Sequence, residues 1–517
     1  MKHLTNLNVV FAVQLLAVVL GVIGVLPREI FLFSAGLLAF FVLFSSLEES
    51  LYLIARSIPL FVALPITESF DSLNVWRIVV LLVFLKWIFS RDILGGLLSH
   101  LRRLVQKARQ SALGGLGFAW NEFRVETLAT LLFAVSVASL VKAEDAVLGV
   151  KRIIFFLNLW MLFFVVRAVA THENFRRIAW NAVGGGIIVL AVGLLQLAMA
   201  YAVPIDDFAE FWALEVHKTL YGTAWANIAI SANTWFAYYN DTIHLRMFSS
   251  FPDTHSFPLY LLLMICATMA LLPAERGRRR GILIAAIALA AAEVVLSGTR
   301  GIWASIVFPI LFLGYLWWRR FALRPLVFLP FVLFFTALPL SGLVFGSTQF
   351  QLQGTGEERL VLAKRIRSII DTGETSNQGR IYIWKETLKS IGHNPLLGVG
   401  VGNFPTILKL NPTAIKAGAS AHNLYLNFLA ELGLFGFAIF ALVMYEIWRS
   451  AWRLFRERSD AMLSFFGLNF LLYFLWILWY SMTDVAIFDE RAFLLLMVLT
   501  GTVFALESRH GTTPRVN

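Results

Sequence analysis

Fourteen apolar runs constrain this chain more than any other feature. They lie at roughly 9–26, 30–47, 51–66, 75–89, 126–142, 150–170, 178–203, 255–273, 282–297, 302–318, 325–345, 423–447, 462–482 and 490–507. A bilayer core takes ~20 apolar residues per helix and offers no water to unbonded backbone groups. The pattern therefore predicts an all-α polytopic membrane protein with about 14 transmembrane helices, in the range 12–14. Two runs fit less well: 51–66 carries Arg56, and 75–89 is short. Charged residues are only 15% of the 517, against ~25% in soluble domains. That excludes a soluble enzyme, a disordered chain and a nucleic-acid module. A lone cysteine, Cys266, excludes an internal disulfide. The first run ends in Leu26-Pro27-Arg28-Glu29 without a small-x-small site, so it is expected to stay as a span.

Lysine and arginine set the orientation. With the N-terminus inside, the inner connections are 90–125, 171–177, 274–281, 319–324 and 448–461. They hold Arg102-Arg103, Arg176-Arg177, Arg278-Arg279-Arg280, Arg319-Arg320 and Arg449, Arg453, Arg456 and Arg458. The net charge of +11 is thus topology rather than nucleic-acid binding. The basic loop around Arg102, Arg103, Lys107 and Arg109 is expected to lie on anionic lipid. Both termini are expected to be cytoplasmic. The outer connections are 67–74, 143–149, 204–254, 346–422 and 483–489. The expected organisation is 1–125, N-terminal spans and the basic loop; 126–345, central spans with the outer segment 204–254; 346–422, a periplasmic loop; and 423–517, C-terminal spans. Within the long loop, Leu362, Ile366, Ile369 and Ile370 share a face suited to a surface helix, and Ile381, Trp384, Leu388 and Ile391 make a second stripe.

The chemistry-bearing polar residues gather at the outer ends of spans. Arg300 sits in Ser297-Gly-Thr-Arg300-Gly301 between two apolar runs, where a snorkelling role fits equally well. Arg246 precedes the eighth span, in a segment running on to Asp253-Thr-His255. Arg380 follows Asn377-Gln-Gly379, and His422 stands where the long loop enters the twelfth span. A neutral imidazole at a helix mouth can accept a proton, as a general base must. It can equally be a cap. Gly398-Val-Gly-Val-Gly402 reads as a turn, since it lacks the last spaced glycine of a dinucleotide fingerprint. No phosphate loop, H-E-x-x-H or D-x-D occurs. The acidic pairs Asp206-Asp207 and Asp489-Glu490 stand apart from these segments in the chain.

Three segments together resemble the O-antigen ligase and polymerase superfamily of bacterial polysaccharide enzymes. They are Ser297-Gly-Thr-Arg-Gly-Ile-Trp-Ala-Ser305; Gly379-Arg380…Trp384…Asn394-Pro-Leu-Leu-Gly398-Val-Gly-Val-Gly402-Asn403-Phe404; and Ala421-His422-Asn423-Leu-Tyr-Leu-Asn427…Glu431-Leu-Gly433-Leu-Phe-Gly436. The resemblance covers roughly 290–440. It implies a metal-independent, inverting glycosyltransferase of the inner membrane with a periplasmic active site and no cofactor. The donor is a glycan on undecaprenyl diphosphate. The acceptor is a glycan or lipid A–core. The family's histidine falls on His422 as catalytic base, and its diphosphate-binding arginines fall on Arg300, Arg246 and Arg380. Trp212, Trp225, Trp235, Tyr238, Tyr239 and Trp384 could stack on sugar rings or form an interfacial belt. The alternatives are a transporter or flippase of lipid-linked glycans, which would need ionisable residues along a central path, and a protein O-oligosaccharyltransferase. Arg56, Lys86, Arg167, Glu293 and Glu431 are the few candidates for such a path.

Overall fold

A computed structural model describes residues 6–66, 73–90, 124–223, 225–227, 234–239, 242–345, 375–408, 420–457 and 460–510, with isolated positions between 95 and 111. The expected surface helix at 362–370 lies outside the described residues. The chain is an all-α polytopic membrane protein. Its helices are α1 (Leu7–Val22), α2 (Ile30–Phe44), α3 (Leu47–Ser57), α4 (Val75–Ile88), α5 (Arg124–Ser139), α6 (Ala146–Val169), α7 (His172–Ala202), α8 (Ser256–Leu271), α9 (Gly277–Leu296), α10 (Arg300–Ser305), α11 (Val307–Trp318), α12 (Leu329–Phe345), α13 (Thr375–His393), α14 (Leu424–Arg456), α15 (Ala461–Tyr480) and α16 (Glu490–His510).

Every apolar run of the sequence became helical. Seven helices among the described residues are long and apolar enough to cross a bilayer, and α1, α2 and α8 are shorter apolar helices. The run 51–66 is the exception to a full span. Its helix, α3, has 11 residues, about 16 Å of rise. The remainder, Phe61–Leu64, is extended and at most 4% exposed. It satisfies its backbone against the start of α4, through Leu64 N–H to Leu73 O and Val75 N–H to Val62 O. Non-helical backbone at membrane depth is tolerated when protein covers it in this way.

The centre of the bundle is α8. All 16 of its residues are buried, including Cys266, as suits a helix that is apolar on every side. It packs on α7, α9, α15 and α16. Helix starts follow the sequence: Asp145, Thr171, Asn423 and Asp460 each accept N–H bonds from the first turn they precede. The helix α14 is broken at Gly433, whose φ is 63°. A Cβ there would stand 2.3 Å from the Leu396 carbonyl carbon, so only glycine lets the 394–403 loop into the kink. Val399 and Gly400 donate to the carbonyls of Ala430 and Glu431, confirming Gly398–Gly402 as a turn.

Polar contacts sort into two ends. At the basic end, His172 meets Asp460 at 2.6 Å, Arg176 meets Glu275 at 2.7 Å, Arg177 meets Glu49 at 2.8 Å and Arg453 meets Glu507 at 3.1 Å. At the loop end, Asp145 N–H donates to Asn403 at 2.7 Å and Asn74 donates to Glu490 at 2.9 Å. Each pair joins connections that the lysine and arginine pattern assigns to one side. The segment 204–254 differs from an all-helical expectation. After the short helices Ile205–Glu210, Phe211–His217 and Lys218–Tyr221, it forms an antiparallel hairpin of β1 (Phe236–Tyr239) and β2 (Thr242–Leu245). The α13 stripe also differs: Ile383 and Thr387 are buried, whereas Ile381 and Leu388 are 38% and 56% exposed.

Candidate active site

At the loop end four corners of the chain meet: the β2–α8 strap, the α9–α10 turn, the entry to α14 and the α15–α16 connection. Arg246 leaves β2 with its N–H on Trp235 O at 2.8 Å. Its guanidinium donates to Ser297 O and Thr299 Oγ1, both at 3.3 Å. Thr299 in turn donates to Thr254 O at 2.6 Å. Arg246 is thereby tied to the turn that ends at Arg300. That turn is made by Gly298, whose φ is 62°. Arg300 opens α10, and the next residue, Gly301, packs so closely that a Cβ would lie 2.5 Å from Thr483 Oγ1. Trp476 fixes the other side by donating to Ile302 O at 2.9 Å.

His422 enters this corner with φ 45°, a left-handed conformation that few non-glycine residues adopt. Such strain persists only where the surroundings determine it, and it concentrates at functional sites. Here Leu424 N–H bonds Ser481 O at 2.8 Å, Ala421 N–H bonds Asn427 Oδ1 at 3.1 Å, and Trp384 of α13 donates to Ala421 O at 2.9 Å. Arg380 stands one turn before Trp384, so the same contact brings the start of α13 to the site.

The closest arrangement of titratable groups was not legible in the sequence. His422 Nδ1 and His255 Nδ1 both lie 3.6 Å from Asp484 Oδ2. Asp484 is nearly closed off, at 7% side-chain exposure, while the two imidazoles retain 25% and 21%. Burial opposes ionisation of Asp484, but His255, His422 and Arg380 outweigh it and hold its carboxyl well below the usual range. Burial pushes His255 down to about 4, with Asp484 opposing and Arg246 and Arg380 assisting. At neutral pH the pair is therefore a carboxylate facing a neutral imidazole. Three of the four sequence candidates, His422, Arg246 and Arg380, act on this group, and Arg300 borders it through Gly301 and the 480–483 turn.

Asp484 and His255 were missed because each lies in a different connection from His422. Their only sequence signal is a lone acid at one span mouth and a histidine at another. Asp489-Glu490 also stands nearer than chain separation suggests. Asp489 caps α16, accepting from Arg491 N–H at 3.0 Å and Ala492 N–H at 3.1 Å. Burial, with Asp253 adding to it, raises its carboxyl to about 7, against the pull of Arg491. Two of the proposed sugar platforms fail: Trp212 and Trp235 are 1% and 2% exposed and belong to the core. Trp225 stays accessible at 41% and Trp384 is half-buried. Among the described residues no group of three His, Cys, Asp or Glu has metal-holding geometry.

An apolar cavity of about 90 Å³ starts beside the site. Leu424, Ser481 and Phe488 form its mouth, and Phe163, Ile447 and Phe504 lie deeper among α6, α14 and α16. Four of the five residues proposed for a central ionisable path are engaged locally. Arg56 donates to Asn8 at 2.6 Å, Lys86 caps the carbonyls ending α2, Arg167 bonds Glu126, and Glu431 accepts from Gly402 N–H at 3.0 Å. The fifth, Glu293, is fully buried against Gly193, and among the described residues neither of its carboxylate oxygens has a hydrogen-bond partner.

Residues 284–441 match the family described as O-antigen ligase. No curated protein matches the chain.

Proposed function

From the match of residues 284–441 to the family described as O-antigen ligase, we propose that this chain transfers a glycan from a polyprenyl diphosphate to an acceptor hydroxyl at the periplasmic face of a bacterial inner membrane. The observation that carries the reading is the Nδ1 of His422 facing buried Asp484 at 3.6 Å, with Arg380 acting on that carboxylate and Arg246 on its other neighbour, His255. An anion at Nδ1 favours the tautomer protonated there, which leaves Nε2 with its lone pair toward the reacting groups. That tautomer is assigned from the carboxylate's position. The 3.6 Å separation is longer than a formed hydrogen bond, and contacts of this kind tighten when substrate is bound.

The acceptor hydroxyl gives its proton to His422 Nε2 as its oxygen bonds the anomeric carbon. The bond from that carbon to phosphate oxygen breaks on the opposite face, and the electron pair leaves with the polyprenyl diphosphate. The sugar inverts. Arg300, Arg246 and Arg380 neutralise the leaving diphosphate, since guanidinium stays charged and matches phosphate bidentately. They supply the charge that a divalent ion would otherwise supply. The apolar cavity that begins at Leu424 and Phe488 receives the first isoprene carbons. Ligase, polymerase and protein O-oligosaccharyltransferase share this chemistry and differ in acceptor. Local engagement of Arg56, Lys86, Arg167 and Glu431 disfavours a flippase.

The test is incubation of purified protein with a defined polyprenyl diphosphate glycan and separate glycan, lipid A–core and peptide acceptors, with and without EDTA. One acceptor should be glycosylated with inverted anomeric configuration at the same rate in both. Loss of activity in EDTA, restored by magnesium or manganese, would replace the arginine mechanism and direct attention to the acidic residues of segment 204–254 as ligands.

A further inference from the structure

The basic end holds a cleft lined by four arginines. The helix α11 ends in a left-handed cap: Arg320 has φ 58°, Arg320 N–H bonds Trp317 O at 2.9 Å and Phe321 N–H bonds Leu316 O at 3.0 Å. Glycine is the usual residue at such a position, and this chain places an arginine there. Phe321 then packs on Trp452 at 5.8 Å and Phe455 at 5.5 Å, tying the 319–324 turn to the last turns of α14. Between them lies a cavity of about 550 Å³ lined by Arg319, Arg320, Arg324, Arg456, Glu457 and Ser464. Arg324 is held over the Phe465 ring at 5.7 Å, at the first turn of α15. Elsewhere at this end arginines meet acids: Arg176 meets Glu275, Arg453 meets Glu507, and Arg124 and Arg449 share Glu446. Among the described residues, no carboxylate lies within ion-pair distance of any of the four cleft arginines.

The surroundings say what kind of anion fits. Trp317 and Trp318 are 76% and 73% exposed beside the cleft, the placement of tryptophan at headgroup level. Leu311 and Tyr315 continue an exposed apolar face along α11. Phosphate contacts inside the cleft and chain contacts along α11 would therefore be made by one molecule. We infer that the cleft lined by Arg319, Arg320, Arg324, Arg456 and Ser464 binds the phosphate headgroup of an anionic phospholipid, with its acyl chains along α11. Basic pockets between helices at the cytoplasmic surface suit such headgroups. The site lies at the end of the bundle opposite His422 and does not depend on the glycan-transfer reading.

The experiment measures lipid retained by purified protein, by native mass spectrometry, against phosphatidylglycerol, cardiolipin and phosphatidylcholine, with inorganic phosphate as the soluble competitor. The wild type should retain the anionic lipids over phosphatidylcholine, and millimolar phosphate should not displace them. Combined R320Q, R324Q and R456Q substitution should weaken retention by about fivefold per arginine. Combined R278Q, R279Q and R280Q substitution removes the same charge from the exposed first turn of α9 and should leave retention near wild type. The lysine versions of the cleft variants keep the charge and report on folding through unfolding temperature in phosphatidylcholine. Equal weakening by both glutamine triples, displacement by inorganic phosphate, or no preference over phosphatidylcholine would each overturn the assignment.

Discussion

The two ends of the bundle handle charge in opposite ways. At the basic end most ion pairs are one acid to one base, and each staples two connections, as His172 does with Asp460 and Arg177 with Glu49. At the loop end two imidazoles share one oxygen of Asp484, with Arg380 acting on the carboxylate and both Arg246 and Arg380 on His255. One-to-one pairing neutralises charge and serves topology. Convergence of like groups on a buried anion costs stability, because desolvated charges must be held near each other. The positive φ of His422 adds backbone strain at the same place. A fold keeps such an arrangement where it has work to do, so the loop end is the place to look for chemistry.

The comparison breaks most visibly at His422. His422→Ala should slow transfer by ~10²–10⁴-fold while thermal unfolding and donor binding stay near wild type; turnover close to wild type in a purified assay would remove the base assignment. Arg300→Ala should cost roughly 2.7–4 kcal/mol in the transition state if it acts like a lost oxyanion donor. Arg300→Lys should recover only part of that, because lysine cannot bind bidentately. Equal rates for the two variants would argue for a packing role. Asp484→Asn should slow transfer by about tenfold, the worth of one pKa unit of charge interaction, with kcat affected more than KM. An effect confined to stability would make Asp484 a structural anion.

A topological test sharpens the comparison without touching chemistry. In a Cys266→Ser background, single cysteines at 300, 380 and 422 should react with an impermeant thiol reagent from one side of the membrane, and cysteines at 320 and 456 from the other. Mixed labelling would dissolve the two-ended description. The smallest effect concerns Asp489. Its carboxyl is raised to about 7 in the fold and ionises near 4 when unfolded. Between those values the folded state binds the extra proton, so stability rises as pH falls from 7 toward 4. Asp489→Asn keeps a good cap and should flatten that slope, raising the unfolding temperature at pH 8 more than at pH 5. An unchanged slope would place the titration elsewhere.

Much of the fold was readable because a bilayer leaves few options. Apolar runs had to become helices, and glycines at 398–402 had to turn. His422 and Arg300 could be proposed from sequence because each stands at a span mouth in a recognisable local segment. Asp484 and His255 were not, since 167 and 62 positions separate His255 and Asp484 from His422, and no helical spacing links them. The aromatic residues of 204–254 misled for a related reason. Trp235 and Phe248 stack at 4.6 Å, a contact that forms only once the hairpin folds back on the strap.

Hydrophobic runs thus determined the helices and their order, and the placement of lysine and arginine set an expected sidedness, because those depend on local transfer energies along the chain. Which helix is central, which imidazole meets which carboxylate and which arginines face a cleft instead of an acid were decided by packing. Those contacts join residues whose spacing in the chain carries no energy of its own, and only the closed bundle brings them within a few ångströms.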